Sequence, residues 1–163
     1  MSVIVRAGEV APEGLDVDLQ VDIRMLTDES GLEIGVGRAT LKAHVHPARG
    51  GLQCSGRVLA TAFPLCSRCL EPYALRVDRE FDVTFLAAPP AVEPGGIELE
   101  ITRGDLDVSY LDERRALDLD HLAAEQIYLE LPMKPLCSPQ CKGLCVGCGS
   151  NLNLDRCRCT ATA

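Results

Sequence analysis

Nine cysteines are the residues of this 163-residue chain whose type and spacing could do chemistry. Six of them lie near its C-terminus: Cys137, Cys141, Cys145, Cys148, Cys157 and Cys159. Glycine, proline and asparagine fill much of the space between them, and these residues favour tight turns. A segment with so few large apolar side chains needs a source of stability other than burial. Thiolates around a metal ion would supply it.

Eight of the cysteines form pairs whose spacing would bring two sulfurs together. The pairs are Cys66 with Cys69, Cys137 with Cys141, Cys145 with Cys148, and Cys157 with Cys159. A Cys-x-x-Cys turn places two sulfurs on one metal, residues four apart share a helical face, and residues two apart share a face of an extended segment. The four pairs supply ligands for two four-cysteine sites, and Cys54 is left over as a buried thiol.

Two arrangements of these pairs are possible. In the favoured one, Cys66 and Cys69 join Cys137 and Cys141, so that the first metal fastens the C-terminal tail to the rest of the protein, while the last two pairs form a local site. In the alternative, four of the six tail cysteines hold one metal and the first pair takes no part. The thiolate ligands select zinc in either case.

Three other functions for such cysteines are disfavoured. Cys141, Cys145 and Cys148 have the spacing of a radical-SAM iron–sulfur motif, but only 15 residues follow them, whereas those enzymes need a large barrel there. A thiol–disulfide oxidoreductase would have its Cys-x-x-Cys at the start of a helix, and Cys66 lies between alternating strands. A catalytic zinc keeps an open position, whereas all-thiolate sites are usually closed and structural. No catalytic residue is predicted.

Alternating apolar residues predict the strands that position the first pair. Residues 15–25 alternate strictly, the parity of the apolar positions switches near Gly37, and another strand covers residues 52–63. Alternation resumes at Tyr73, which places Cys66 and Cys69 at the tip of a hairpin. The predicted fold class is therefore mainly β, an antiparallel sheet curled into a small barrel or sandwich.

One helix and two short strands complete the prediction. The strands are expected at residues 97–101 and 106–110, and the helix at residues 119–131, with Asp118 as its N-cap. Pro132 ends the helix just before the cysteine-rich segment. This pattern divides the chain into a β-rich domain with one helix near its end, residues 1–134, and a zinc-binding tail, residues 135–163.

Charge and composition indicate which cellular compartment and which binding partners to expect. No apolar run is long enough to span a membrane and the N-terminus lacks a signal-peptide pattern, so a reducing cytoplasm is expected. The net charge is −8, but residues 132–163 carry +3 and the first 131 residues carry −11. RNA contact is therefore expected only in the tail, through Lys134, Lys142, Arg156 and Arg158. The acidic body, including Asp16, Asp18 and Asp22, would suit a basic protein.

Several motifs resemble the YceD family, the large ribosomal RNA subunit accumulation proteins of bacteria and plastids. They are the Cys-Ser-Arg-Cys-Leu-Glu-Pro run from Cys66, the acidic helix with Glu125, Pro-Leu-Cys ending at Cys137, Cys-Lys-Gly-Leu-Cys from Cys141, Cys148-Gly149, and Asn151-Leu-Asn153. The resemblance covers roughly residues 50 to 160. Val146 stands where family members commonly have proline.

The resemblance implies a role in the accumulation of large-subunit ribosomal RNA, and hence in ribosome assembly, with no established catalytic activity. The expected partner is ribosomal RNA or a basic ribosomal protein of the large subunit, and neither a membrane nor a small-molecule substrate is expected. The contrasting hypothesis is a redox or metal-dependent enzyme that acts on RNA or thiols.

Overall fold

A computed structural model describes residues 3–27, 31, 33–48, 50–87, 108–111, 115–155, 157 and 159. In chain order the strands are β1 (Ile4–Arg6), β2 (Leu15–Val21), β3 (Met25–Thr27), β4 (Glu33–Val36), β5 (Ala39–Ala48), β6 (Gly51–Phe63), β7 (Leu75–Leu86), β8 (Val108–Tyr110) and β9 (Ala116–Asp118). A short 3-10 helix (Ala7–Glu9) follows β1, and helix α1 (Leu119–Leu129) follows β9. The predicted class, mainly antiparallel β with one α-helix, is confirmed for this part of the chain.

Strand β6 is the centre of a seven-stranded sheet. Strand β7 pairs antiparallel with one of its edges along almost its whole length. Strands β5 and β4 pair with the other edge, one after the other, and carry β2 and β3 on their own outer edges. Strands β1 and β9 form a separate two-stranded sheet. The β6–β7 hairpin carries the first Cys-x-x-Cys pair at its tip, as predicted.

The strict alternation of residues 15–25 predicts one strand, and this prediction is wrong at its C-terminal end. Strand β2 ends at Val21, which pairs with Ala39, the first residue of β5. The partner strand is interrupted there, at the parity switch predicted near Gly37, so the ladder cannot continue. The chain crosses to β4 instead, and the Val36 amide donates to the Arg24 carbonyl at 2.9 Å.

The core lies on one face of β6. Its buried side chains all lie at even-numbered positions: Leu52, Cys54, Val58, Ala60 and Ala62. Gly56 has the same parity, and a Cβ there would collide with Ala43 of β5. Glycine therefore permits the close approach of the two strands at this point.

Helix α1 begins at the predicted residue because Asp118 caps it. The Asp118 carboxylate accepts hydrogen bonds from the amides of Asp120 and His121 at 3.0 and 3.1 Å, and a cap of this kind stabilises a helix by about 1 kcal/mol. The helix ends two residues before the predicted position, because the amides of Glu130 and Leu131 bond to carbonyls three residues back. Its buried face has helical spacing and consists of Leu119, Leu122, Ala123, Gln126 and Ile127.

Strand β8 departs from the antiparallel pattern, since it pairs in parallel with the last three residues of β7. It forms the described part of the strand predicted at residues 106–110. The strand predicted at residues 97–101 lies outside the described residues. No helix in the described ranges is long and apolar enough to cross a membrane.

Candidate metal centres

The first group of cysteines, hereafter the first tetrad, joins the hairpin tip to the tail. The sulfurs of Cys66, Cys69, Cys137 and Cys141 all lie within 4.8 Å of one another. The Sγ atoms of Cys66 and Cys141 are 3.8 Å apart, and those of Cys69 and Cys137 are 3.7 Å apart. Tetrahedral zinc with bonds of about 2.3 Å to sulfur would separate its ligands by about 3.8 Å. The spacing of the four sulfurs therefore fits one zinc ion.

The second group, hereafter the second tetrad, is local to the tail. The sulfurs of Cys145, Cys148, Cys157 and Cys159 also lie within 4.8 Å of one another. Cys157 Sγ is 3.1 Å from that of Cys145 and 3.5 Å from that of Cys148. Among the residues that the structure describes, these two tetrads are the groups of ligand side chains close enough to share a metal. The eight sulfurs thus assemble in the arrangement that the sequence favours.

The two tetrads differ in burial. In the first, Cys66, Cys69 and Cys141 are buried and Cys137 is exposed. In the second, none is buried, and Cys148 and Cys159 are exposed. Water, protons and chelators therefore reach the second tetrad more readily than the first.

The two Cys-x-x-Cys turns have the same backbone hydrogen bonds. In the hairpin turn, the Leu70 amide donates to the Cys66 carbonyl and the Cys66 amide donates to the Glu71 carbonyl, both at 2.9 Å. In the tail turn, the Gly149 amide donates to the Cys145 carbonyl and the Cys145 amide donates to Ser150, both at 2.8 Å. The residue after the second cysteine has positive φ in both turns, 58° at Leu70 and 73° at Gly149. The chain therefore builds the same Cys-x-x-Cys turn twice.

Hydrogen bonds also tie the tail to the hairpin tip. The Ser67 amide donates to the Pro135 carbonyl at 2.8 Å, and the Leu144 amide donates to the Arg68 carbonyl at 3.1 Å. The Arg68 guanidinium donates to the Cys141 carbonyl at 2.9 Å. The turn residues between Cys66 and Cys69 thus hold the tail as well as their own sulfurs.

Asn153 links the two tetrads, and sequence reasoning did not assign it this role. Its side-chain amide donates to Cys141 Sγ at 3.4 Å, and its side-chain oxygen accepts from the Lys142 amide at 2.8 Å. Asn151 orients it by accepting from both its backbone amide and its side-chain amide. The Asn-Leu-Asn motif was visible in the sequence, but its contact with sulfur depends on the folded tail.

Hydrogen bonds and neighbouring sulfurs shift the thiol pKa values in both tetrads. Backbone hydrogen bonding from the Cys137 segment lowers the pKa of Cys66 to about 6, and the Ser150 hydroxyl lowers that of Cys148 to about 6. The neighbouring sulfurs Cys141 and Cys148 raise the pKa values of Cys137 and Cys159, respectively, to about 12. Four thiolates so close together repel one another, and a bound dication would stabilise all four.

Cys54 stands apart from both tetrads. It lies on the core face of β6, and its side chain is fully buried. Burial and the negative charge of Asp82 raise the pKa of its thiol to about 12. It is the buried thiol that the sequence predicts, and its apolar surroundings make it a poor nucleophile.

The cations proposed to contact RNA are only partly described. Lys134 and Lys142 are exposed, whereas Arg156 and Arg158 lie outside the described residues. Lys142 follows Cys141 directly and precedes the second tetrad. Because both described lysines are exposed, they lie on the surface of the tail, where RNA could reach them.

Comparison with known proteins places this arrangement in a family. The family model described as large ribosomal RNA subunit accumulation protein YceD matches residues 54–163. The chain belongs to the YceD family. The matched region begins in β6 and includes both tetrads, α1 and the whole tail, while β1 to β5 precede it.

Relatives in the YceD family are similar at modest identity. A protein of Zea mays named large ribosomal RNA subunit accumulation protein YCED homolog 1, chloroplastic, is 30% identical over 124 residues, covering 64% of this chain and 42% of the relative. An uncharacterized protein of Mycobacterium bovis is 32% identical over 109 residues, covering 67% of this chain and 49% of that protein. A chloroplastic YCED homolog 1 of Arabidopsis thaliana is 29% identical over 113 residues, covering 58% and 35%. The chain spans less than half the length of these relatives, and no solved structure matches it.

Proposed function

We propose that this chain is a non-enzymatic factor that supports the accumulation of large-subunit ribosomal RNA, and that two structural zinc ions hold its tail on its β-sheet. Membership of the YceD family carries the first part, since relatives in maize and Arabidopsis have that role in their names. The eight clustered thiols carry the second part. The chain would then consist of a β-rich domain, residues 1–134, and a zinc-binding tail, residues 135–163.

The ligand set favours structural zinc. Zinc prefers thiolates over the oxygen ligands that magnesium and calcium require. Four cysteines would fill every tetrahedral position and leave none for substrate, so neither metal would act as a catalyst. A reducing cytoplasm, the proposed place of action, would keep these thiols available for metal.

Charge divides the surface between two classes of partner. Ribosomal RNA would contact the tail at Lys134, Lys142, Arg156 and Arg158, where the chain has its excess of positive charge. The acidic β-rich domain would repel phosphate and suit a basic ribosomal protein.

Metal content tests the zinc proposal. The protein as purified should contain about two zinc ions per chain, as expected for two closed four-thiolate sites. In the native state every ligand thiol should be protected from alkylation, and Cys54 should react only after unfolding. Iron with a visible absorption band would contradict the proposal and favour a redox function.

Ribosomal RNA levels test the biological role. Depletion of the protein should lower large-subunit ribosomal RNA relative to small-subunit RNA. The wild-type chain and a Cys54→Ala control should restore the ratio, and a Cys66→Ser, Cys69→Ser variant should not. An unchanged ratio after depletion would contradict the role.

The alternative is a redox or metal-dependent enzyme acting on RNA or thiols. It would need a reactive cysteine pair or an open metal position. The clustering of Cys66 and Cys69 with two cysteines of the tail supports the non-enzymatic proposal instead, because a closed four-thiolate site would engage both thiols of the pair and leave no open metal position. Reversible oxidation of Cys66 with Cys69, coupled to reduction of an added disulfide substrate, would favour this alternative.

A further inference from the structure

Strand β7 has an edge that its neighbours leave largely uncovered. It pairs with β6 over residues 75–86 on one side, but β8 covers only residues 84–86 on the other. Within the described part of the chain, no strand pairs with the outer edge of residues 75–83. An edge of nine residues is about 30 Å long, enough for an added strand of six to eight residues.

A groove of about 510 Å³ opens along this edge. Its lining includes five consecutive residues of β7, from Arg79 to Val83. Successive side chains of a strand point to opposite faces of the sheet, so five in a row can border one groove only if it runs along the strand edge. The groove therefore gives access to the backbone of β7.

Apolar and aromatic side chains form the opposite wall. Helix α1 contributes Tyr128 and Leu129, which are 42% and 60% exposed, and β8 contributes Val108. An extended segment on the edge of β7 would place alternate side chains against this wall. The wall would thus add apolar contacts to the backbone hydrogen bonds.

The groove is acidic. Glu80, Asp82 and Glu125 line it, and Arg79, the one lysine or arginine among the described residues of the lining, is bonded to Glu130 at 3.3 Å. The other acids have no close cation among the described residues: Arg57 lies 3.9 Å from Glu80 and His121 lies 3.5 Å from Glu125, while Asp82 accepts a hydrogen bond at 2.9 Å from the uncharged amide of Gln53. A segment that enters here meets a surplus of negative charge, which excludes nucleic acid and favours lysine and arginine.

We propose that the outer edge of β7 and this groove bind an extended, lysine- or arginine-rich protein segment, which adds to the sheet as a further strand. Backbone pairing would give affinity, and Glu80, Asp82 and Glu125 would select positive side chains. The inference rests on the proposed function for the source of the segment, a ribosomal protein. Recognition itself requires neither RNA nor metal exchange.

Binding can be measured with the zinc-loaded full chain and a fluorescein-labelled peptide of four lysine–valine repeats. Anisotropy should report saturable binding of this peptide and none of a glutamate–valine peptide of equal length. The Glu80→Lys, Glu125→Lys variant should bind about tenfold more weakly, because two attractive charges become repulsive.

A matched control separates a specific site from general attraction. The Glu13→Lys, Asp22→Lys variant makes the same change in net charge beside β2, at the far side of the sheet from β7. It should weaken binding by no more than about twofold, because screening removes most long-range attraction at physiological salt. Equal weakening in both variants would overturn the proposal.

Amide hydrogen exchange of the wild-type protein supplies a test that needs no variant. Bound peptide should slow exchange at residues 75–83 and leave β2 unchanged. Protection at other residues instead would overturn the proposal. So would slow exchange of residues 75–83 in the free protein, at the rate of β6, because another part of the chain would then already cover the edge. The assay contains no ribosomal component, so its failure leaves the proposed role in RNA accumulation standing, and the failure of that role does not affect this assay.

Discussion

The side chain of Asn153, a residue between the second and third cysteines of the second tetrad, donates a hydrogen bond to the sulfur of Cys141 in the first tetrad, 3.4 Å away. A donor to a ligating thiolate stabilises its negative charge and fixes its orientation. The two proposed metal sites therefore share a residue, although they share no ligand.

Replacing Asn153 should loosen metal in the first tetrad. Asn153→Ala removes both the bond to Cys141 and the acceptor for the Lys142 amide, whereas Asn153→Asp keeps an acceptor and loses the donor. Both variants should lose zinc to a chelator about tenfold faster, measured with a colorimetric zinc indicator, because the donor to sulfur is absent from both. If the Asn153→Asp variant released zinc at the wild-type rate, the amide–sulfur contact would contribute nothing to metal retention.

The two tetrads should release metal at different rates. The second is more exposed, so a chelator should remove about one zinc quickly and about one slowly, if each tetrad holds one ion. Cys148→Ser should abolish the fast phase and leave the slow one. Release of both zinc ions in a single kinetic phase would contradict the idea that burial sets the two release rates.

Two glycines with left-handed backbone offer a matched pair of substitutions. Gly143 has φ 75° and a Cβ there would lie 3.0 Å from the Arg68 carbonyl, whereas Gly149 has φ 73° and no atom within 4 Å of such a Cβ. Gly149→Ala should lower the free energy of unfolding by about 1 kcal/mol, the cost of the left-handed conformation alone. Gly143→Ala should lower it further, because it also strains the contact of the tail with the hairpin. Urea unfolding in the presence of zinc measures both, and equal losses would contradict this difference.

Cys54 should make the protein less stable at alkaline pH. Its pKa is about 12 in the folded state, and an unfolded cysteine titrates near about 8.5. The folded state thus holds the proton more tightly. Stability is full below about pH 8.5 and declines as pH rises towards 12, by at most about 1.4 kcal/mol per unit.

The Cys54→Ala variant isolates this effect. It should be less stable than wild type at neutral pH, because it leaves a small cavity in the core. Urea unfolding at pH 7.5 and pH 10 should show the difference between the two proteins shrinking, since only the wild type can ionise Cys54 on unfolding. A difference that stays constant with pH would contradict the raised pKa.

Salt dependence tests the proposed RNA contact of the tail. Replacing Lys142, Arg156 and Arg158 together by alanine should weaken ribosomal RNA binding and flatten the slope of log affinity against log salt by up to about three units, one for each lost phosphate contact. The same variant should bind the lysine–valine peptide as well as wild type. An unchanged salt slope would move the RNA contact away from these residues.

Local patterns in the sequence were enough to place the main elements. The buried faces of β6 and α1 follow from periodicity, and the start of α1 follows from Asp118, because each depends on residues close in sequence. Cysteine spacing also indicated the favoured assembly of the eight sulfurs. The alternative with four tail cysteines remained open because spacing alone does not report contacts across 68 residues.

The structural features that could not be predicted from the sequence depend on contacts between residues far apart in the chain. Residues 22–24 alternate like a strand but lose their neighbour where β5 begins, and the parallel pairing of β8 depends on which edge it meets. Arg68 and Asn153 hold the tail through backbone carbonyls and a sulfur that come close only after folding. Leu70 adopts a left-handed φ in a position where the second turn has glycine, and an isolated leucine gives no signal of it.

The position of the first tetrad in the chain has a topological consequence. One zinc ion bonded to both Cys69 and Cys137 would close the intervening chain, including β7, β9 and α1, into a ring. A protease cut anywhere in that ring would open it without separating the pieces, because the ion would still join the two ends. In a native measurement the cleaved protein would be heavier than the intact chain only by the one water molecule added at the cut, and it would divide into two fragments only once the metal was removed under denaturing conditions.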